Sequence, residues 1–280
     1  MNSVTGPLIS VDELQQMLRG GAALPTILDV RWQLGGPSQH TAYEQGHLPT
    51  AAWVEFEESL TGTPGPGGRH PLPDADRFGE AMRAAGVHAD RPVVVYDQAN
   101  SLAASRLWWL LRYYGKDDVW VLDGGLTAWL DAGLPLEPGP SDPQPGGFMP
   151  VPRPEMLLDA EGAARYAQEA LLLDARPAER YAGRNETMDP VAGHIPGAQS
   201  APALINVRED GHFLPAEELA ARFAEQGITD DSVVGTYCGS GVQAAHLALA
   251  LEVAGIHPQT AVYVGSWSHW ITDPDRPVEV

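Results

Sequence analysis

The 280 residues contain a single cysteine, Cys238, and a single lysine, Lys116, among 17 basic side chains. One thiol excludes an internal disulfide and a zinc cluster built on cysteines, and it suits a reducing compartment where the thiol stays available. No stretch approaches the ~18 consecutive apolar residues of a membrane-spanning helix. The segment from Met1 to Leu18 lacks a basic stretch followed by an apolar one, so no secretory signal is expected. These absences predict a soluble, cytoplasmic chain. Basic residues are also outnumbered by 37 acidic ones, for a formal net charge of -20. A field of that sign repels nucleic acid and acidic membranes and excludes both as partners. It repels small anions too, so an anion site in this chain needs local arginines or helix ends to reverse the potential. The histidines other than His47 and His194 show no metal-ligand spacing, and no metal or other cofactor is expected.

Hydrophobic residues make up 44% of the chain, and at about 150 residues per domain the length predicts two globular domains. The second half repeats the first. Ile27-Leu28-Asp29-Val30-Arg31 matches Leu172-Leu173-Asp174-Ala175-Arg176, and Gly46-His47-Leu48-Pro49 matches Gly193-His194-Ile195-Pro196. The strand-like run ending at Tyr96 matches the one ending at Tyr237, and Leu122 to Trp129 matches Tyr263 to Trp270. Four matches in one order indicate duplication of a whole domain rather than a solenoid of short units. Between the halves, Pro135 to Pro154 holds eight prolines and three glycines, which reads as a semi-rigid linker. The expected division is therefore 1–137, a linker at 138–152, and 153–280. Within each half, short apolar runs alternate with stretches of helical periodicity such as 103–114 and 244–254. This predicts an α/β fold of two tandem domains, each a parallel sheet flanked by helices on both faces.

Cys238 stands where an apolar run, Val233 to Tyr237, passes through Cys238-Gly239-Ser240-Gly241 into the next helical stretch. The first N–H groups of a helix have no intrahelical partner and lie at the positive end of its dipole, so a thiolate there is stabilised. Gly239 and Gly241 let the backbone curl its N–H groups around the sulfur. A lone cysteine is commonly just a small buried hydrophobe, but this setting favours a reactive thiol. Aligning Tyr96 with Tyr237 puts Asp97 opposite Cys238. A carboxylate can accept the same N–H groups but cannot attack sulfur, so the N-terminal half is expected to be non-catalytic.

Together, Asp-x-Arg after a strand, Gly-His-Ile/Leu-Pro, the Cys238 loop and the late Gly-Ser-Trp resemble the tandem-domain rhodanese-like sulfurtransferases over nearly the whole chain. The loop Cys238-Gly239-Ser240-Gly241-Val242 is most similar to that of the 3-mercaptopyruvate sulfurtransferases, whereas thiosulfate enzymes usually carry an Arg-Lys pair in place of Gly239 and Ser240. The resemblance implies a persulfide on Cys238 cradled by Gly239, Ser240, Gly241, Val242 and Gln243, a small anionic sulfur donor, and a thiol acceptor such as thioredoxin, or cyanide. It implies that Arg180 holds the donor's carboxylate and ketone, as a bidentate guanidinium can, with Arg184 as a candidate second arginine. It also implies a relay of Ser240 with a histidine and an aspartate from the first half. His47 matches the histidine, but Gly36 stands where the aspartate is expected, and Gln243 replaces a usual threonine.

His47 and His194 are repeat equivalents, which also fits a structural turn. Arg31 and Arg176 are repeated likewise and read as buried ion pairs bracing the sheets, whereas Arg180 has no counterpart in the first half. Trp267 could line a cleft, while Trp270, matched by Trp129, reads as core. Competing readings are a thiosulfate:cyanide sulfurtransferase, a non-catalytic persulfide carrier, and a phosphatase of related fold. The last needs an arginine six residues after the cysteine, where this chain has Ala244.

Overall fold

The computed structural model describes residues 6–20, 24–256 and 259–280. The first residues of the stretch read for a leader lie outside that range. Two units are present. The first comprises Met1–Leu60, Pro73–Pro152 and Val207–Phe213, and the second Thr61–Leu72, Arg153–Asn206 and Leu214–Val280. Each unit thus takes a short segment from the other half of the chain, a departure from a single division near residue 137. The proline-rich 138–152 stretch belongs to the first unit and does not run free. The N–H groups of Gly139, Gly146 and Val151 donate to the carbonyls of Glu44, Arg83 and Tyr114, and Phe148 is buried.

In the first unit the strands are β1 (Leu8–Ile9), β2 (Thr26–Asp29), β3 (Ala52–Trp53), β4 (Val93–Tyr96) and β5 (Val119–Leu122), in the all-parallel order β1-β5-β4-β2-β3. The second has β6 (Leu157–Leu158), β7 (Leu171–Asp174), β8 (Gln199–Ser200), β9 (Val233–Tyr237) and β10 (Gln259–Tyr263), in the equivalent order β6-β10-β9-β7-β8. Helices flank both sheets, as the alternating pattern predicts. The central strands read as continuous apolar runs because a parallel sheet is covered on its faces. Every residue of β4 is buried. The helices that follow the central strands, Leu102–Tyr113 and Val242–Val253, are accordingly apolar nearly all round and mostly buried.

The repeated motifs form one network, built twice. Arg176 donates to both carboxylate oxygens of Asp174 and to the Gly193 carbonyl, while Arg31 pairs with Asp29 and donates to the Gly46 carbonyl. The Tyr96 hydroxyl donates to Asp29 and accepts the Leu48 N–H, and Tyr237 accepts the Ile195 N–H in the same way. Thus Asp-x-Arg, the strand-end tyrosine and Gly-His-x-Pro lock one another. Trp129 and Trp270 each lie in their unit's core. Trp267 does not line an opening: it is fully buried, with the Arg176 guanidinium 4.8 Å from its ring centre.

Candidate active site

Cys238 follows β9, the central strand of its sheet, at the C-terminal edge where parallel α/β sheets bind ligands. The Gly241 N–H points at its sulfur, with N 3.1 Å from Sγ. Gly241 caps the helix Val242–Val253 at φ +83°, a left-handed conformation that glycine adopts without cost. The Cys238 N–H donates to Ser266 Oγ at 3.0 Å, and the Cys238 carbonyl accepts the Trp267 N–H at 2.9 Å. Ser266 itself stands at φ +54°, a conformation unfavourable for a side chain with a Cβ. Its hydroxyl donates to the Tyr263 carbonyl, accepts from the Cys238 backbone and lies 4.0 Å from the Cys238 sulfur, so it fixes the cysteine loop and also faces the thiol. The thiol is 2% exposed.

The equivalent loop of the first unit shows the same cradle already filled. One Asp97 oxygen accepts the N–H groups of Ala99 and Ser101, and the other accepts those of Ala103 and Ala104. The Asp97 carbonyl accepts the Leu126 N–H, matching the bond from Trp267 to Cys238. The Asp97 carboxyl thus occupies the place that the Cys238 side chain takes in the second unit.

Two residues of the Thr61–Leu72 segment complete the site and were not singled out in the sequence. His70 Nδ1 lies 2.8 Å from Ser240 Oγ, with both side chains buried. Arg69 is anchored by its own N–H, which donates to Ser268 Oγ at 3.0 Å. Gly68, at φ +105°, allows that approach: a Cβ there would lie 2.8 Å from the Gly265 carbonyl oxygen. A Cβ on Gly239 would fall 2.9 Å from an Arg69 terminal nitrogen and 3.6 and 3.8 Å from those of Arg180. Both guanidinium groups therefore converge above the loop at Gly239.

Arg180 is held by carboxylates. Its Nε donates to Glu186 Oε2 at 2.9 Å and its Nη2 to Asp189 Oδ2 at 2.9 Å, while Arg69 Nη1 donates to the other oxygen of Asp189. Glu186 also accepts the N–H groups of Met188 and Asp189 and lies 3.7 Å from Arg176, which ties the site to the sheet network. Burial acts to raise the Glu186 carboxyl, but the hydrogen bonds from Arg180, Met188 and Asp189 outweigh it and hold the group below the ordinary 4.5. A carboxyl depressed in the native state stabilises the fold fully above its unfolded value and loses that contribution as pH falls through the native one. The native fold is therefore expected to lose stability as pH falls through that depressed value, with Glu186→Gln showing a shallower acid limb in a stability-versus-pH profile.

The other expected site residues fall elsewhere. His47 stacks on Tyr43 with its Nδ1 3.1 Å from the Tyr43 carbonyl, and His194 stacks on Tyr181 with the same bond at 2.9 Å. Both are turn residues, and the histidine at Ser240 is His70. Arg184 is exposed and uses its backbone N–H on the Glu179 carbonyl, so the second guanidinium over the loop is Arg69. Gly36 lies in an exposed turn of the first unit, donating its N–H to the Gln33 carbonyl. Val242 is buried and Gln243 half-buried at the helix start. Among the described residues no cluster of His, Cys, Asp and Glu could hold a metal ion.

The rhodanese-like domain family matches residues 10–132 and 157–273, so the chain belongs to that family, in a tandem arrangement. It is an enzyme of the sulfurtransferase class, as its relatives are. The "Probable 3-mercaptopyruvate sulfurtransferase" of Pseudomonas aeruginosa is 46% identical over 90% of this chain and 91% of its own. The "Putative thiosulfate sulfurtransferase SseB" of Mycobacterium tuberculosis is 43% identical over 97% of this chain and 96% of its own. The crystal structure of SseA from Escherichia coli, a 3-mercaptopyruvate sulfotransferase, superposes with a TM-score of 0.83 at 33% identity over 94% of this chain and 100% of that one. No helix among the described residues is long and apolar enough to cross a membrane.

Proposed function

We propose that the enzyme moves a sulfane sulfur from 3-mercaptopyruvate, through a persulfide on Cys238, to a thiol such as thioredoxin, or to cyanide, in the cytoplasm. The observation that carries this reading is the Cys238 sulfur facing the Gly241 N–H at 3.1 Å beneath the Arg180 guanidinium. The thiolate attacks the donor's sulfur. An S–S bond forms as the donor's C–S bond breaks, and the electron pair leaves on carbon as the enolate of pyruvate, which takes up a proton. Loop N–H groups stabilise the sulfur anion, and an acceptor thiolate or cyanide attacks the outer sulfur and returns the Cys238 thiolate. Arg180 and Arg69 hold the donor's carboxylate, and Ser240, oriented by His70, bonds its carbonyl oxygen where enolate charge develops. The charge of the chain argues against nucleic acid and membrane partners.

A thiosulfate donor is the second reading. Convergence of Arg69 and Arg180 over Gly239 supplies two guanidinium groups for a dianion, and the names of the relatives divide between the two donors. Mass spectrometry after incubation with each donor, with steady-state rates, tests both. One added sulfur on Cys238 and faster turnover with 3-mercaptopyruvate are expected. No added sulfur from either donor would leave only a carrier role. His70→Asn should lower kcat by about 10²-fold with KM nearly unchanged, the scale of a lost proton-transfer partner. His47→Ala should lower thermal stability and leave kcat near the wild-type value.

A further inference from the structure

The arginines that would receive the donor are not free. Arg69 and Arg180 carry two positive charges, and Glu186 and Asp189 carry two negative ones, so the cluster above Gly239 has no surplus charge in a chain of net charge -20. The two acids differ in what they do. Glu186 grips the Arg180 Nε and two backbone N–H groups, so it builds the loop. Asp189 spends one oxygen on each guanidinium, which is how a bound ligand carboxylate would bridge them. Its side chain is 2% exposed. It also leaves the fork half used, because Arg69 Nε is buried with no hydrogen-bond partner. The segment carrying Asp189 lies outside any helix or strand, between the helix Ala178–Tyr181 and β8, with Asn185 at φ +54° and Met188 exposed.

We infer that Asp189 is a resident carboxylate that fills the Arg69–Arg180 fork in the free enzyme, and that the donor's carboxylate binds by displacing it. Asp189 is then a specificity-determining residue. A ligand must match its bridging geometry, and each anion binds against an internal competitor. This rests on the carboxylate-donor reading above. Adding a ligand carboxylate without exchange would put three negative charges around two guanidinium groups, which buried pairing disfavours.

The test compares Asp189→Asn, Asp189→Ser and Glu186→Gln with wild type, using the KM for 3-mercaptopyruvate and the inhibition constant of pyruvate, an unreactive carboxylate. Loss of the competitor should lower both constants by about tenfold in the Asp189 variants. Glu186→Gln should raise them. Unchanged or weaker binding in both Asp189 variants, with persulfide formation intact, overturns the exchange. If these variants do not fold, hydrogen exchange on the wild type decides. Saturating pyruvate should speed exchange at the Met188 and Asp189 amides, and unchanged or slower exchange there overturns the proposal. Failure of the underlying reading is separate, since wild type would then gain no sulfur from 3-mercaptopyruvate.

Discussion

Cys238→Ser should lower sulfur transfer from either donor to the uncatalysed background, a loss of about 10⁴-fold or more in kcat/KM. The hydroxyl fits the loop and can accept the Gly241 N–H that now points at sulfur, so stability should change little. What disappears is the nucleophile. A hydroxyl attacks only if a base removes its proton, and the neighbouring groups are engaged elsewhere. The Ser266 hydroxyl donates to the Tyr263 carbonyl, and His70 faces Ser240. An oxygen could not in any case hold the transferred sulfur as a persulfide. Steady-state rates beside a thermal melt separate this outcome from misfolding. Appreciable turnover in a well-folded variant would refute the assignment of the nucleophile, because Cys238 is the only cysteine in the sequence.

What the sequence made readable divides by contact distance. Asp-x-Arg, the strand-end tyrosine and Gly-His-x-Pro could be matched between halves because the network they form closes within one unit. Cys238 was readable because an apolar strand, a glycine-rich loop and a helix are consecutive. Arg69 and His70 were not, since they lie in a glycine- and proline-rich stretch of the first half and act in the second unit. His70 meets Ser240 across 170 residues, and no local periodicity encodes such a pairing. One signal did exist. His70-Pro71-Leu72-Pro73 matches His212-Phe213-Leu214-Pro215 at a shift of 142, which puts Gly211 opposite Arg69, so Arg69 is not repeated. The criterion that singled out Arg180 would have singled out Arg69. It would also have demoted His47, whose twin His194 makes the same stacking and backbone contacts. The segment at Asp210 and Gly211 is in turn the one that joins the first unit, where the Phe213 N–H donates to Asp123. The exchange is reciprocal, and a division of the chain at its midpoint hides it.

Arg176→Met should cost the protein about 3–5 kcal/mol, the penalty for stranding one partner of a buried ion pair. Asp174 and Arg176 are both fully buried, and two nitrogens of the guanidinium bond the carboxylate while one reaches the Gly193 carbonyl. Methionine restores volume but no charge, so Asp174 keeps the backbone N–H of residue 176 and loses its cation, while the Gly193 carbonyl loses its donor. Against a typical total stability of about 5–15 kcal/mol, such a loss is severe. Chemical denaturation should show it, and adding Asp174→Asn should recover part of it, because a neutral amide is cheaper to leave unpaired than a carboxylate. A variant as stable as wild type would mean that the donors Asp174 already has, Tyr237 and the backbone N–H of residue 176, suffice for the carboxylate. The effect should also reach the chemistry. Arg176 faces Glu186 at 3.7 Å, and Glu186 holds the Nε of Arg180. The repeated geometry of the sheet end and the placement of the proposed donor clamp therefore share one carboxylate, and a folded Arg176→Met enzyme should show a raised KM even at temperatures where it remains native.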